Sequence, residues 1–375
     1  MRGLRLFLAG DVMTGRGIDQ ILPHRSDPVL HEGYVQSAED YVTLAERLCG
    51  PIPRDVAPDY IWGHLLEDLA ALEPDLRIIN LETAVTTSGR AEPKGINYRM
   101  HPGNVGILGT AKIDACTLAN NHVLDWGIGG LRETLDVLDG AGIGLAGAGR
   151  NATQAEAPLV LDAAGRGRVI VLAYGAKSSG VPANWAAAAD RPGVNLLPRA
   201  VPDAVAAVRA ALEPVRRPGD FVLYTVHWGP NWGYEVATEQ QELAKALITE
   251  GLADAIVGHS SHHPKRIEVI DGKLVLYGCG DLINDYEGIG GYEEYRGELG
   301  LGYVAEFGAE GRLRTLDMRP YRRRAFRLER AEGRDRDWLE ALVRRETVAP
   351  GMMVSLTGEG ALRLAPLPGG AAPMR

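Results

Sequence analysis

Five segments of this chain end a short apolar run in a carboxylate, carboxamide or imidazole. They are Ala9-Gly10-Asp11-Val12, Ile79-Asn80-Leu81-Glu82-Thr83, Leu118-Ala119-Asn120-Asn121-His122, Val226-His227-Trp228-Gly229 and Val257-Gly258-His259-Ser260-Ser261-His262-His263. One such residue carries little weight, because a strand-end Asp is commonly a helix N-cap or a turn former. The coincidence carries more. Open α/β sheets place their ligand crevice at the carboxyl ends of the strands, so Asp11, Glu82, Asn121, His122, His227, His259 and His262 are expected to meet in one site. Asp, Glu, Asn and His supply the oxygen and nitrogen ligands of divalent ions such as Zn, Mn or Fe, and the same groups perform general acid/base chemistry.

Such a site needs strands to carry it, and the hydrophobic pattern supplies them. Apolar runs at Leu4 to Ala9, Leu76 to Leu81, Ala115 to Leu118, Val169 to Tyr174, Val222 to Val226 and Ala255 to Val257 read as strands. Between them Ile61 to Leu72, Gly130 to Leu138, Pro202 to Leu212 and Glu239 to Glu250 repeat apolar residues at helical spacing. Later the rhythm changes to hairpins: Arg266 to Ile270 and Lys273 to Tyr277 flank Asp271-Gly272, and Gly302 to Phe307 and Leu313 to Met318 flank Glu310-Gly311. The expectation is an α/β fold with a mixed sheet system, begun by βα units and completed by antiparallel strands. Residues 1–330 read as a single domain with a surface insertion at about 21–59, a lid, binding loop or passive excursion. Residues 331–375 read as a C-terminal helix and extension, with a helical stretch at Trp338 to Arg345 and a frayed Pro-, Gly- and Ala-rich end.

Composition excludes several classes. With 375 residues, 45% hydrophobic and 24% charged, the chain is an ordinary globular protein and not a disordered one. A net charge of -9 leaves no basic footprint for nucleic acid, and the basic stretch Arg319 to Arg330 reads as a solvated strand or turn face. No apolar run approaches the roughly 20 residues of a membrane helix, so a cytoplasmic protein with no membrane anchor is expected. Cys49, Cys116 and Cys279 are too scattered for a disulfide framework or a CxxC metal site, and Cys116 and Cys279 read as buried thiols. The strip from Trp228 to Tyr234 is rich in aromatics, and Trp228 and Trp232 are expected to form a wall for a substrate side chain.

The order Gly10-Asp11, Asn80 with Glu82, Asn120-Asn121-His122, His227, and Gly258-His259 with His262 resembles the calcineurin-like metallophosphoesterase superfamily. More closely it resembles the CapA branch, named for capsule and poly-γ-glutamate synthesis, over roughly residues 3 to 320. The resemblance implies a four-layer α/β/β/α sandwich of two mixed sheets with the site at one edge. It places Asp11, Glu82, Asn121, His227, His259 and His262 on metal-ligand positions and His122 on the histidine that protonates the leaving group. Two departures stand out: Met13 occupies the place of an imidazole in the first motif, and Asn80-Leu81-Glu82 replaces a Gly-Asp pair with its bridging Asp. A thioether is a poor ligand for a borderline or hard ion, so one metal position is expected to be weakened.

Two chemistries follow. One keeps the implied metals, which activate water against a phosphoester while His122 donates a proton. The other, taken as the leading expectation, is epimerisation of a peptide or poly-amino acid by two bases, in the manner of soluble peptide-epimerase relatives. In that scheme Asp11 is one base and a histidine, His122, His259 or His262, the other; Glu82, Asn121, His227, Trp228, Trp232 and His262 are expected to bind substrate, and no cofactor is required. A non-catalytic binding module is the third reading.

Overall fold

The computed structural model describes residues 3–368. Its first strand, Leu4–Val12, sends alternate side chains into two apolar clusters, Leu6 and Leu8 to one and Phe7 and Ala9 to the other. That is the period-2 pattern of a strand covered on both faces. The strand lies inside a ten-stranded sheet, with Leu76–Leu81 parallel on one side and Leu299–Phe307 antiparallel on the other. Ala115–Thr117 and Gly144–Ala146 continue the parallel side. The antiparallel side continues through Leu313–Arg324 to the hairpin of Met352–Leu356 and Leu362–Pro366.

A seven-stranded sheet has Arg168–Gly175, Phe221–His227 and Ala255–His259 in parallel at its centre. The hairpin of Ile267–Ile270 and Lys273–Leu276 extends it, turning at Asp271-Gly272 with both residues at positive φ, as that dipeptide favours. Leu6 and Leu8 of the first sheet share a cluster with Val171, Leu223 and Val257 of the second. Phe7 and Ile79 pack with Leu65 and Leu131 of the helices Leu65–Leu72 and Gly127–Gly140. Leu172, Val222 and Ile256 pack with Val208 and Leu243 of the helices Val201–Leu212 and Thr238–Thr249. The chain is thus a mixed α/β protein, as its pattern predicts.

Differences from the expected elements have local causes. The first strand runs on past Ala9 to Val12, because Gly10 lets another strand, Asp281–Ile283, come alongside: a Cβ at Gly10 would sit 1.6 Å from Gly280 O. Asp11 is thereby paired with Asp281 in parallel register. The expected helix from Ile61 to Leu72 is broken into a 3₁₀ turn, Tyr60–Trp62, and the helix Leu65–Leu72. Gly63 between them takes φ 45°, and a Cβ there would lie 2.1 Å from Leu328 O.

The 21–59 segment carries the helix Ala38–Cys49 and lends Val42, Ala45, Ile52 and Val56 to the core. It also holds Glu32 and Tyr41 against Arg16, a buried guanidinium whose other fork binds Asp285 at 2.5 and 3.1 Å. Toward the C-terminus, the helix Gly333–Glu346 buries Leu339, Leu342 and Val343, and the frayed end expected beyond Pro368 lies outside the described residues. Among the described residues no helix is long and apolar enough to cross a membrane.

The reading of Arg319 to Arg330 as a solvated face needs correction. Arg323 is 2% exposed and donates to the backbone carbonyls of Asp281 (2.5 Å), Gly297 (2.7 Å) and Leu299 (2.7 Å). The cause is the close approach of the Asp281–Ile283 strand, whose carbonyls would otherwise be buried without donors. Replacing Arg323 by Leu is expected to lower unfolding free energy by about 3 kcal/mol in urea titrations, since buried acceptors lose their partners. Arg322→Leu, at a side chain 46% exposed, is the control and is expected to cost less than about 1 kcal/mol. Equal losses in the two variants would remove the buried role assigned to Arg323.

Candidate functional site

Asp11, next to last in the first strand, has no exposed surface, and each of its oxygens is engaged. Oδ1 accepts from Asn80 Nδ2 at 2.7 Å, and Oδ2 accepts from the backbone N–H of Ser260 at 3.1 Å. Ser260 is held at φ 89°, a conformation that L-residues rarely adopt, and its hydroxyl is anchored to Gly229 O at 3.0 Å. The turn after His259 is therefore strained into place against Asp11.

Around this carboxylate the other strand ends converge. Asp11, Glu82 and His227 each offer a ligand atom within 4.8 Å of the others, and so do Asp11, His262 and Asp281. Asp11 belongs to both groups. His227 Nε2 and His122 Nε2 lie 3.6 and 3.8 Å from Glu82 Oε1, and His259 Nδ1 lies 3.6 Å from Asp11 Oδ1. Asn121 Oδ1 is 3.0 Å from His227 Nε2. The structure thus brings together all seven strand-end residues. Asn121 is only half-buried, which puts it at the outer edge of the cluster.

The electrostatics of the cluster are those of anions and imidazoles kept from water. Burial, reinforced by Asp281, raises the Asp11 carboxyl to about 7. Burial and then Asp11 push Glu82 well above the usual carboxylate range. Burial lowers His259 to about 3, and it lowers His227 well below an ordinary imidazole with help from neighbouring histidines. Burial would lower His262 as well, but the Asp281 and Asp11 carboxylates outweigh it and the imidazole is raised. Two buried atoms, Glu82 Oε2 and His259 Nδ1, have no hydrogen-bond partner. Buried polar atoms are nearly always satisfied, so these two mark a place where a divalent cation fits the donor set.

His122 is set apart by its orientation. Its Nδ1 is 2.6 Å from Asp125 Oδ2, and Lys94 Nζ lies 2.6 Å from the other oxygen of Asp125. Burial brings His122 down to about 4, with Asp125 pulling the other way. Beneath it Asn120 ties the strand ends together, donating to Asn80 Oδ1 (3.1 Å) and Leu81 O (2.9 Å) while its own carbonyl accepts from the N–H groups of His122 and Val123.

Three residues of this site escaped the sequence reading. Asp281 lies in a strand beside Asp11, with its Oδ1 2.9 Å from His262 Nδ1. Gly280-Asp281 closes an apolar run just as Gly10-Asp11 does, and that was the available signal. Asp125 stands three residues after His122 in the same loop, close enough in sequence to be weighed as its partner. Lys94 left no signal, since it comes from an irregular segment. The two tryptophans part company. Trp232 is half-buried and lies against His262 and Tyr292, with ring centroids 5.3 and 4.1 Å away. Trp228 is not an exposed clamp: it is 3% exposed, and its indole N–H donates to Tyr277 O at 2.9 Å among the residues beneath the helices. Successive strand residues face opposite ways, so the residue after His227 turns from the site. Cys116 and Cys279 are buried free thiols, as expected.

Fold and site together define a mixed α/β protein with a buried carboxylate and imidazole centre at the C-terminal ends of its strands. The chain belongs to the bacterial capsule synthesis protein family, PGA_cap, whose model matches residues 5–286. It is 45% identical over 367 residues to a probable polyglutamine synthesis accessory protein of Mycobacterium tuberculosis, an alignment that covers 96% of each chain. It is 25% identical over 278 residues to the PGA biosynthesis protein CapA of Bacillus subtilis, covering 74% of this chain and 62% of that one. The CapA-like resemblance read from the motifs is thereby shown.

The depressed His259 imidazole carries a pH signature. Its folded value of about 3 lies below the ordinary 6.5, so its contribution to stability is complete above pH 6.5 and is lost as pH falls toward 3. His259→Gln removes that titration. In metal-free protein the unfolding free energies of wild type and variant are expected to converge by roughly 1.4 kcal/mol per pH unit below 6.5. Parallel curves from pH 7 to 4 in urea titrations would show that His259 is not held neutral by burial.

Proposed function

We propose that this chain is a divalent-metal-dependent enzyme of the phosphoesterase type, acting as an accessory protein in the synthesis of a poly-amino acid. One observation carries the reading: Asp11 is shared between two ligand-like groups, while Glu82 Oε2 of one group and His259 Nδ1, 3.6 Å from Asp11 Oδ1, are buried without hydrogen-bond partners. Asp11, Glu82, His227 and His259 would hold one ion, with Asn121 beside them, and Asp11, Asp281 and His262 a second. A divalent ion there supplies Lewis-acid polarisation of a substrate oxygen and makes water a nucleophile near neutral pH.

The chain's own residues do the rest. With the Nδ1 proton of His122 directed at Asp125, Nε2 is the atom that exchanges a proton with a substrate oxygen. Lys94 neutralises Asp125, so His122 is not locked in its charged form. Trp232 and Tyr292, stacked 4.1 Å apart beside His262, offer a flat apolar surface to the non-reacting part of the substrate. The poly-amino-acid setting rests on the names of the relatives in Mycobacterium tuberculosis and Bacillus subtilis. Face-to-face packing of the two sheets between helices, the α/β/β/α order implied by the resemblance, belongs to the same proposal; the cluster shared by Leu6, Leu8, Val171 and Leu223 supports it.

Epimerisation by Asp11 and His259 fits less well. Two-base racemisation sets acid and base on opposite faces of an α-carbon, and the 3.6 Å between Asp11 Oδ1 and His259 Nδ1 cannot hold a tetrahedral carbon between them.

Protein purified without chelators is expected to carry a divalent ion by elemental analysis and to hydrolyse bis(p-nitrophenyl) phosphate, with activity lost on chelation and restored by added metal. Asp11→Asn is expected to lose both ion and activity. His122→Ala is expected to keep the ion and fall about a hundredfold in turnover. Chelator-resistant incorporation of deuterium at the α-carbon of a glutamate peptide, with no bound ion, would replace this proposal with the epimerase reading.

A further inference from the structure

A half-open cavity of about 700 Å³ lies away from the carboxylate cluster, on the helix-covered side of the seven-stranded sheet. The first turns of the helices Val201–Leu212 and Thr238–Thr249 border it. Its floor is apolar: Trp228, Ala204 and Leu243 are buried in the cluster that joins those helices to the sheet. A volume of this size falls in the range of small-molecule sites, which combine apolar walls with a few placed polar groups.

Two of the polar groups here are cationic. Lys177 and Arg199 are exposed on the lining, and neither has a hydrogen-bond or ion-pair partner among the described residues. Gln240 is 9% exposed; its Oε1 accepts the Ala237 N–H at 3.0 Å, which leaves its Nε2 amide on the lining without an acceptor. Ala200 and Ala237 stand at the helix N-caps and bring no side-chain oxygen, while Pro202 has no N–H and Asp203 and Glu239 sit in the first turns, so the cationic side chains and Gln240 carry the site. Glu239 is the opposing charge, and it lies exposed on the lining.

We propose that this cavity is a second ligand site, built for a small anion with an acyl body. The head group, a carboxylate or a phosphate, accepts from Gln240 Nε2 between Lys177 and Arg199, and the acyl chain lies on Trp228 and Leu243. The site is independent of the chemistry assigned to the cluster, but the two share a wall. Ser178 Oγ accepts from Gly229 N at 3.1 Å, and the Ser179 hydroxyl and Ala176 N–H both donate to His227 O at 2.8 Å. An occupant therefore touches the segment that fixes His227.

Isothermal titration of the full chain with decanoate and with decyl phosphate, both below their aggregation thresholds, tests the proposal. Saturable one-to-one binding of at least one is expected, and the preferred head group separates carboxylate from phosphate. Lys177→Ala with Arg199→Ala is expected to weaken that binding about tenfold or more. Ala204→Trp, which fills the cavity, is expected to abolish it; should that variant misfold, the surface double variant decides alone. The proposal is overturned if neither anion binds, if decyltrimethylammonium binds as tightly, if inorganic phosphate binds as well as decyl phosphate, or if the double variant leaves affinity unchanged.

Discussion

The structure depends on keeping the Asp11 carboxylate within 4.8 Å of both Glu82 and Asp281, with all three side chains out of water. Taking a carboxylate from water is costly, and like charges add to that cost, so the cluster exists only because the surrounding chain over-determines it. The means are backbone and amide donors. Asn80 and the Ser260 N–H hold Asp11, Asn284 Nδ2 holds Asp281 at 2.8 Å, and Arg323 clamps the backbone beneath Asp281. Hydrogen bonds from rigid elements and the His262 imidazole beside Asp281 offset part of that cost, and Glu82 Oε2 is left without a partner.

That requirement explains features with no other evident purpose. Gly10 faces the Gly280 carbonyl because a side chain at Gly10 would hold apart the strands that bear Asp11 and Asp281, whereas Gly280 takes φ 75° with a Cβ position that would strike His263 and Pro264. Ser260 accepts a strained φ because its N–H must reach Asp11. The buried Arg16, bound by Glu32 and Asp285 and flanked by Tyr41 and Tyr98, ties the 21–59 segment to the loop that follows Asp281. A segment that composition marks as an excursion is thus coupled to the site through one guanidinium.

Much of this was legible in the sequence. Parallel strands buried on both faces read as near-continuous apolar runs, so Leu76–Leu81 and Phe221–His227 announce themselves, and polar residues at their ends stand out against that background. Asp281 was hidden because its strand is three residues long and follows a turn, so pattern alone could not tell a strand-end acid from a turn former. Lys94 and Asp125 were hidden for another reason. They act through His122, and a residue that orients another is specified by three-dimensional proximity that no local period encodes. Trp228 and Arg323 misled in the opposite sense, because an aromatic strip and a basic run look exposed until the strand's alternation, or an incoming neighbour, turns one member inward.

Met13 and Asp281 are best understood together. Met13 stands where the resembled motif carries an imidazole; it is fully buried, with its sulfur 3.7 Å from the Tyr286 hydroxyl. Asp281, brought level with Asp11 by the parallel register, puts a carboxylate into the same neighbourhood. This place therefore offers an anionic oxygen donor from Asp281 and no imidazole at position 13. In the proposed centre this shifts the Asp11, Asp281 and His262 group toward harder ions such as Mn or Fe, whereas the Glu82 and His227 group, with His259 close by, keeps the nitrogen-rich surroundings that suit Zn.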